Sequence, residues 1–230
     1  MKKSSCVIFL AFSHFLFAVE PQLPRESSAT DYLALFNVRR SLRTERHQLE
    51  ADLNTAAAEK VRAFDDATRA HKLALKGAVN DEEDRQYRMR SEVADQVFER
   101  SQQALDFNQA GIDLVEVRMT FAKGEPHDVR RLFPITQRQW EVDCRIKSIA
   151  VTEAQARVSF TEYRMKNLKK LTPSKVVTQQ EYQRSETDYI RDANDLKARQ
   201  AAFESCDKDL PTLEELEKLQ AAGLAFLMMQ

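Results

Sequence analysis

The sequence predicts an all-α protein of long antiparallel helical hairpins, in a coiled-coil or elongated four-helix arrangement, with a short C-terminal helix. Three observations support this prediction. The chain has 4 Gly and 6 Pro in 230 residues, so few positions interrupt a helix. Charged residues make up 31% of the chain and hydrophobic residues 43%, which is typical of long solvated helices. Apolar residues also recur every seven positions, as they do where helices pack along a narrow seam.

The first residues have the pattern of a cleavable signal peptide. A short lysine start precedes an uncharged apolar run that ends at Ala18 and is too short for a comfortable membrane span. Leu16 and Ala18 suit cleavage after Ala18. We therefore expect residues 1–18 to be a signal peptide and residues 19–28 a linker, with an uncleaved anchor as the alternative. This predicts export, most simply to a bacterial periplasm.

Gly and Pro mark the ends of the predicted helices. Among the four long helices only the second contains a glycine, Gly111, which costs about 1 kcal/mol relative to Ala. The predicted helices are 29–76, 80–122, 136–171, 178–208 and a short one after Pro211. The corresponding units are hairpin 1 (29–122), a connection (123–135), hairpin 2 (136–209) and a C-terminal amphipathic helix (210–230).

Each long helix carries a heptad stripe, and the third carries two, which predicts contact with more than one neighbour. Capping boxes at Thr136 with Gln139 and at Thr178 with Glu181 support two of the helix starts. The stripes are Leu35, Leu42, Leu49, Ala56 and Ala63; Phe98, Leu105, Ile112 and Met119; Val142, Ile149, Ala156 and Tyr163 with Val151, Val158 and Met165; and Tyr182, Tyr189, Leu196 and Phe203.

Short turns make successive helices antiparallel. The turns near 77–79 and 172–177 therefore fall at one end of the molecule, and the connection falls at the other. The pattern leaves open whether the two hairpins lie side by side or end to end.

Two cysteines follow the predicted signal peptide. Cys144 and Cys206 are equally far from residue 175, in the middle of the last turn, so an antiparallel hairpin places them at the same height. In an oxidising compartment this predicts a disulfide. Two unpaired buried cysteines are the alternative.

The last turn contains Asn167, Leu171 and Thr178, and a Q-E-Y triplet follows. This segment resembles the α-hairpin tip of the periplasmic adaptor (membrane fusion, HlyD-like) proteins of efflux pumps and type I secretion systems. In that family an arginine, a leucine and a serine at these positions contact an outer-membrane channel of the TolC type. Here Leu171 and Thr178 match the leucine and the hydroxyl, and Asn167 replaces the arginine.

The first turn carries the complementary part of the same pattern. Arg69 and Leu73 match the arginine and the leucine, and Asn80 replaces the serine. The resemblance implies that Arg69, Leu73, Asn80 and the three residues of the last turn contact a partner. The family's lipoyl and β-barrel domains have no counterpart here, so the resemblance is limited to the hairpin tips and the coiled coil.

The remaining patterns exclude several function classes. A formal net charge of −1 gives no basic excess for nucleic-acid binding. The histidines lack metal-ligand spacing, and no phosphate loop or nucleophile motif is present, so we expect no cofactor, no metal and no enzymatic activity. We expect an interaction protein of the cell envelope that docks an outer-membrane channel or another helical partner. A periplasmic holdase or scaffold is the alternative, and homo-oligomers are compatible with both.

The apolar C-terminal segment is too short to span a membrane. We expect it to pack back on the helices. Contact with a partner or a lipid surface is the alternative.

Overall fold

The computed structural model describes residues 27–124, 131–209 and 218. These residues form four helices, and no strand occurs among them: α1 (Ser27–Ala74), α2 (Asp81–Ala122), α3 (Phe133–Leu171) and α4 (Gln179–Asp209). The prediction of an all-α fold of long antiparallel hairpins is confirmed. The predicted signal peptide, His127 and, apart from Lys218, the C-terminal helix lie outside the described residues. No helix in the described ranges is both long and apolar enough to cross a membrane.

The four helices form a row in chain order. α1 packs chiefly on α2, α2 also packs on α3, and α3 also packs on α4. The two hairpins therefore lie side by side, which the heptad pattern alone left open. This arrangement makes α1 and α4 the edge helices of the row.

α1 contributes small side chains to its seam with α2 in the half that leads to their turn. Ala56, Ala67 and Ala70 are all buried. Small residues let two helix backbones pack together without large core side chains. Ion pairs flank the seam, including the pair between Lys60 Nζ and Asp95 Oδ1 at 2.5 Å.

An apolar cluster fixes the end of the molecule opposite the hairpin turns. Met119 and Phe121 from the end of α2 are buried, as are Leu132 and Phe133 at the start of α3. Burial of four such side chains stabilises this end by several kcal/mol, at roughly 1.5–3 kcal/mol each.

The start of α3 differs from the prediction. The helix begins at Phe133 and not at residue 136, because Pro134 occupies its first turn, where the missing proline N–H is not needed. The predicted capping box of Thr136 and Gln139 is wrong. Thr136 lies inside the helix and is buried, and its hydroxyl has no hydrogen-bond partner in the described structure. Leu132 occupies the N-cap position without a side-chain cap.

The predicted disulfide is present in hairpin 2. Cys144 of α3 and Cys206 of α4 are bonded, with their Cα atoms 5.6 Å apart. The bond lies near the end of the hairpin away from its turn, so it holds together the two ends of a long loop. The sequence separation between the two cysteines is 62 residues.

A buried carboxylate joins α2, α3 and α4. The side chain of Glu153 in α3 is 3% exposed, and its Oε2 accepts a hydrogen bond from Arg100 of α2 at 2.7 Å. Arg157, one turn further along α3, binds the other oxygen. Arg199 of α4 lies 3.6 Å from Oε2 and also donates to the carbonyl of Ala150 at 3.3 Å. Glu153 therefore fixes the relative register of three helices.

Candidate docking site at the hairpin tips

The turn between α1 and α2, here called tip 1 (residues 69–80), is closed by its own backbone. The amide of Gly77 donates to the carbonyl of Ala74 at 2.9 Å, and that of Ala78 donates to Leu73 at 2.9 Å. Gly77 has φ +70°, a left-handed conformation that ends a helix at little cost only when the residue lacks Cβ. Asn80 then caps α2, because its side chain accepts the amide hydrogen of Glu83 at 2.8 Å.

The turn between α3 and α4, here called tip 2 (residues 167–178), uses side chains for the same purpose. Thr172 Oγ1 donates to the carbonyl of Leu168 at 2.7 Å, and Ser174 Oγ donates to that of Leu171 at 2.8 Å. Lys175 has φ +57° and reverses the chain. A left-handed conformation at a non-glycine residue is uncommon and is maintained here by the hydrogen-bonded turn around it.

The start of α4 is a complete capping box. Thr178 donates its backbone N–H to Glu181 Oε2 at 2.9 Å and its hydroxyl to the same oxygen at 2.8 Å. In return, the amide of Glu181 donates to Thr178 Oγ1 at 3.2 Å. The hydrogen bonds from Thr178, first from its backbone and then from its hydroxyl, lower the pKa of Glu181. Thr178 therefore caps α4, and it is also exposed to solvent.

A polar cluster ties tip 1 to tip 2. The hydroxyl of Tyr163 in α3 donates to Asp81 Oδ2 at the start of α2 at 2.5 Å, and the Arg85 guanidinium lies 4.0 Å from the Tyr163 ring centroid. Arg164 pairs with Glu82 at 3.2 Å. The hydrogen bond from Tyr163, followed by that from Arg85, lowers the pKa of Asp81. Both tips thus lie at the same end of the molecule and are joined just below their apices.

The two tips do not end at the same height. α2 begins at Asp81, which contacts Tyr163. α3 continues for eight further residues to Leu171, roughly 12 Å of helix. Tip 2 consequently projects further than tip 1.

The six predicted contact residues differ in their exposure to solvent. Arg69, Asn80 and Thr178 are exposed, and the leucines Leu73 and Leu171 are 39% and 42% exposed. Asn167 is half-buried and lies within hydrogen-bonding reach of the Tyr163 hydroxyl. Asn167 thus contributes to the cluster that joins the tips, and five of the six residues are open to a partner.

The most prominent apolar side chains at the tips are two that the sequence analysis missed. Leu75 is 76% exposed and Val176 is 72% exposed, the largest values among the exposed large apolar side chains in the described ranges. Each lies just beyond the last residues of a helix, where no neighbouring helix can cover it. A signal was available, because an apolar residue inside a tight turn has no place in a heptad seam.

Exposed lysines surround these apolar side chains: Lys72, Lys76, Lys169, Lys170 and Lys175. The nearby carboxylates are mostly engaged within the protein. Asp84 is buried and paired with Arg88, with the His71 imidazole 3.5 Å away. The charge presented at the apices is therefore positive, although the chain as a whole is slightly acidic.

The comparisons with known proteins found no matching family model, curated protein or solved structure. In the described part of the chain, no three His, Cys, Asp or Glu side chains are placed to hold a metal ion.

Proposed function

We propose that this protein is a non-enzymatic interaction protein of the cell envelope, and that its two tips dock together onto a helical partner. The observation that carries the proposal is the pair of highly exposed apolar side chains, Leu75 and Val176, at the apices of two hairpins that end on the same side. The resemblance of tips 1 and 2 to the adaptor hairpin favours an outer-membrane channel of the TolC type over other helical partners.

The apical side chains suit a protein interface. Leu75 and Val176 contribute little to folding, and covering each would stabilise a complex by roughly 1.5–3 kcal/mol. The lysines around them suit partner carboxylates and the exposed carbonyls of helix ends. An apolar anchor within a polar rim is the usual composition of an interaction hot spot.

The tips are also preorganised. Thr178 and Glu181 cap one, Asn80 caps the other, and Tyr163 with Asp81 holds them at a fixed spacing. A rigid binding surface loses less conformational entropy when it binds, so more of the contact energy appears as affinity. The Cys144–Cys206 bond is compatible with the oxidising compartment that the proposal requires.

The test is binding of the purified protein to an immobilised TolC-type channel in detergent. We expect Leu75→Asp and Val176→Asp each to weaken binding at least tenfold, which corresponds to about 1.4 kcal/mol. Ile190→Asp is the matched control, because Ile190 is 52% exposed on the shaft of α4, away from both tips. The control should bind like the wild type.

Three results would contradict the proposal: no binding by the wild type, full binding by both tip variants, or equal loss with Ile190→Asp. A holdase would instead suppress aggregation of unfolded clients, with no dependence on Leu75 or Val176.

A further inference from the structure

The edge helix α1 carries two exposed apolar patches. Leu33 and Phe36, near its start, are 59% and 40% exposed. Val61 and Phe64, in its second half, are both 62% exposed. Leu33 to Val61 and Phe36 to Phe64 are each 28 residues, or four heptads, apart. In a helix that follows a heptad seam, residues separated by whole heptads lie on the same flank.

This flank is distinct from the α2 seam. The seam follows the heptad stripe from Leu35 to Ala63. The patch residues lie either one position after a stripe residue, as Phe64 does, or five positions after one, as Val61 does, so they fall to one side of the seam. The opposite flank of α1 carries Val38, which is 44% exposed. Between the patches the same flank presents charged and small residues: Arg40, Arg43, His47, Glu50 and Ala57.

The second patch opens into a groove. Val61 and Phe64 line a groove of about 390 Å³ whose other wall is α2. Glu92 and Asp95 of α2 lie at this groove, and Asp95 is paired with Lys60. The groove therefore has an apolar floor with carboxylates beside it.

The first patch has the complementary character. Phe36 is an exposed aromatic side chain, and the Arg39 guanidinium lies 5.3 Å from its ring centroid. Arg40 follows directly in the sequence. Arg39 also pairs with Glu116 of its own chain at 3.8 Å, so the complementary charges are Arg40 at the first patch and Glu92 at the groove. An exposed aromatic side chain next to Arg40 complements an apolar groove next to Glu92.

We infer that two copies of this chain pair through α1 in an antiparallel dimer. A twofold axis between residues 48 and 49 makes residues whose numbers sum to about 97 face each other. Phe36 of each copy then meets Val61 of the other, and Leu33 meets Phe64. Each copy places its Phe36 against the groove of the other copy, so the same contact is made twice. Such a contact is isologous, and it limits the assembly to two copies.

The centre of the proposed interface is also self-complementary. His47 of one copy faces Glu50 of the other. Within each copy Glu50 also pairs with Arg46 at 3.0 Å and with His47 at 3.4 Å, so these pairs can be exchanged between the two copies. Small residues such as Ala57 lie opposite Arg40, which leaves room for its long side chain. The tips of the two copies point in opposite directions, so the inference does not depend on the proposed docking of the tips.

The primary test is the mass of the full chain in solution, measured by sedimentation equilibrium over a range of concentrations. We expect the wild type to reach twice the mass of one chain and Val61→Asp/Phe64→Asp to remain at the single-chain mass. Val38→Asp, on the opposite flank, should still form the dimer. A wild type that stays monomeric overturns the inference, as does equal loss with Val38→Asp. A monomer whose own C-terminal residues fill the groove would give that first result.

Two cysteine variants test the register without disturbing the apolar patches. In the proposed register Arg40 of one copy faces Ala57 of the other. A mixture of Arg40→Cys and Ala57→Cys chains should therefore give a cross-linked dimer with a short bifunctional thiol reagent, whereas either variant alone should not. Cross-linking of each variant with itself, or no cross-linking in the mixture, would refute the antiparallel pairing.

Discussion

Replacing the disulfide with Cys144→Ser/Cys206→Ser should lower the free energy of unfolding by about 4 kcal/mol. The bond joins residues 62 positions apart, and in the chain-entropy account a cross-link over so long a loop removes many conformations from the unfolded chain. Hairpin 2 depends on it in particular, because α4 is an edge helix that packs chiefly on α3 alone. A loss of this size is a large fraction of the stability of an ordinary domain.

Urea denaturation followed by circular dichroism measures this effect. The reduced wild type should unfold at the same urea concentration as the double variant, which controls for the serine substitutions themselves. Tip binding in the absence of denaturant should be kept, because the bond lies at the far end of the hairpin from tip 2. A change below about 1 kcal/mol would contradict the chain-entropy account and would mean that the reduced, unfolded chain still retains structure.

Glu153→Ala should destabilise the protein by about 2–3 kcal/mol. Removing one partner of a buried ion pair commonly costs about 3–5 kcal/mol, because the remaining charge is left without compensation. The cost here should be lower, since the three arginines are 38%, 42% and 26% exposed and can still reach water. The free energy of unfolding should fall because α2 and α4 are held less firmly against α3.

The matched control is Glu162→Ala. Glu162 lies on the same helix and pairs with Lys166 at 2.6 Å, but its side chain is 40% exposed. A surface pair of this kind contributes at most about 1 kcal/mol. If the two alanine variants lower the free energy of unfolding equally in urea denaturation, the ion pairs of Glu153 with α2 and α4 do not hold these helices together.

Heptad patterning and the positions of Gly and Pro were enough to predict the helices, and the short turns were enough to predict their antiparallel pairing. Counting from the last turn was enough to pair Cys144 with Cys206. The predicted start of α3 was wrong because one residue type can have two roles. Proline marks turns but also fits the first turn of a helix, and Pro134 does the second. The earlier start of α3 places Thr136 inside the helix and not at its cap. The side-by-side arrangement of the two hairpins depends on which heptad stripe packs against which helix. The spacing of apolar residues shows that a stripe exists but not which helix it contacts.

The site was only partly predictable for similar reasons. Leu73 and Leu171 were found by resemblance, whereas Leu75 and Val176 lie past the helix ends, where a heptad analysis stops. Glu153 had a readable signal, because it is one heptad from Ile146 and one from Phe160 and so occupies a core position. A charged residue at such a position indicates a buried ion pair, but only the fold shows which arginines reach it.

The central claim is that both tips engage one partner at the same time, and the affinity of the double variant Leu75→Asp/Val176→Asp for the immobilised channel tests it most directly. If the tips bind together, the losses from the two single variants should combine, so the double variant should bind roughly a hundredfold more weakly than the wild type. An affinity equal to that of one single variant would show that only one tip makes the contact. An affinity equal to that of the wild type would place the interface elsewhere on the molecule.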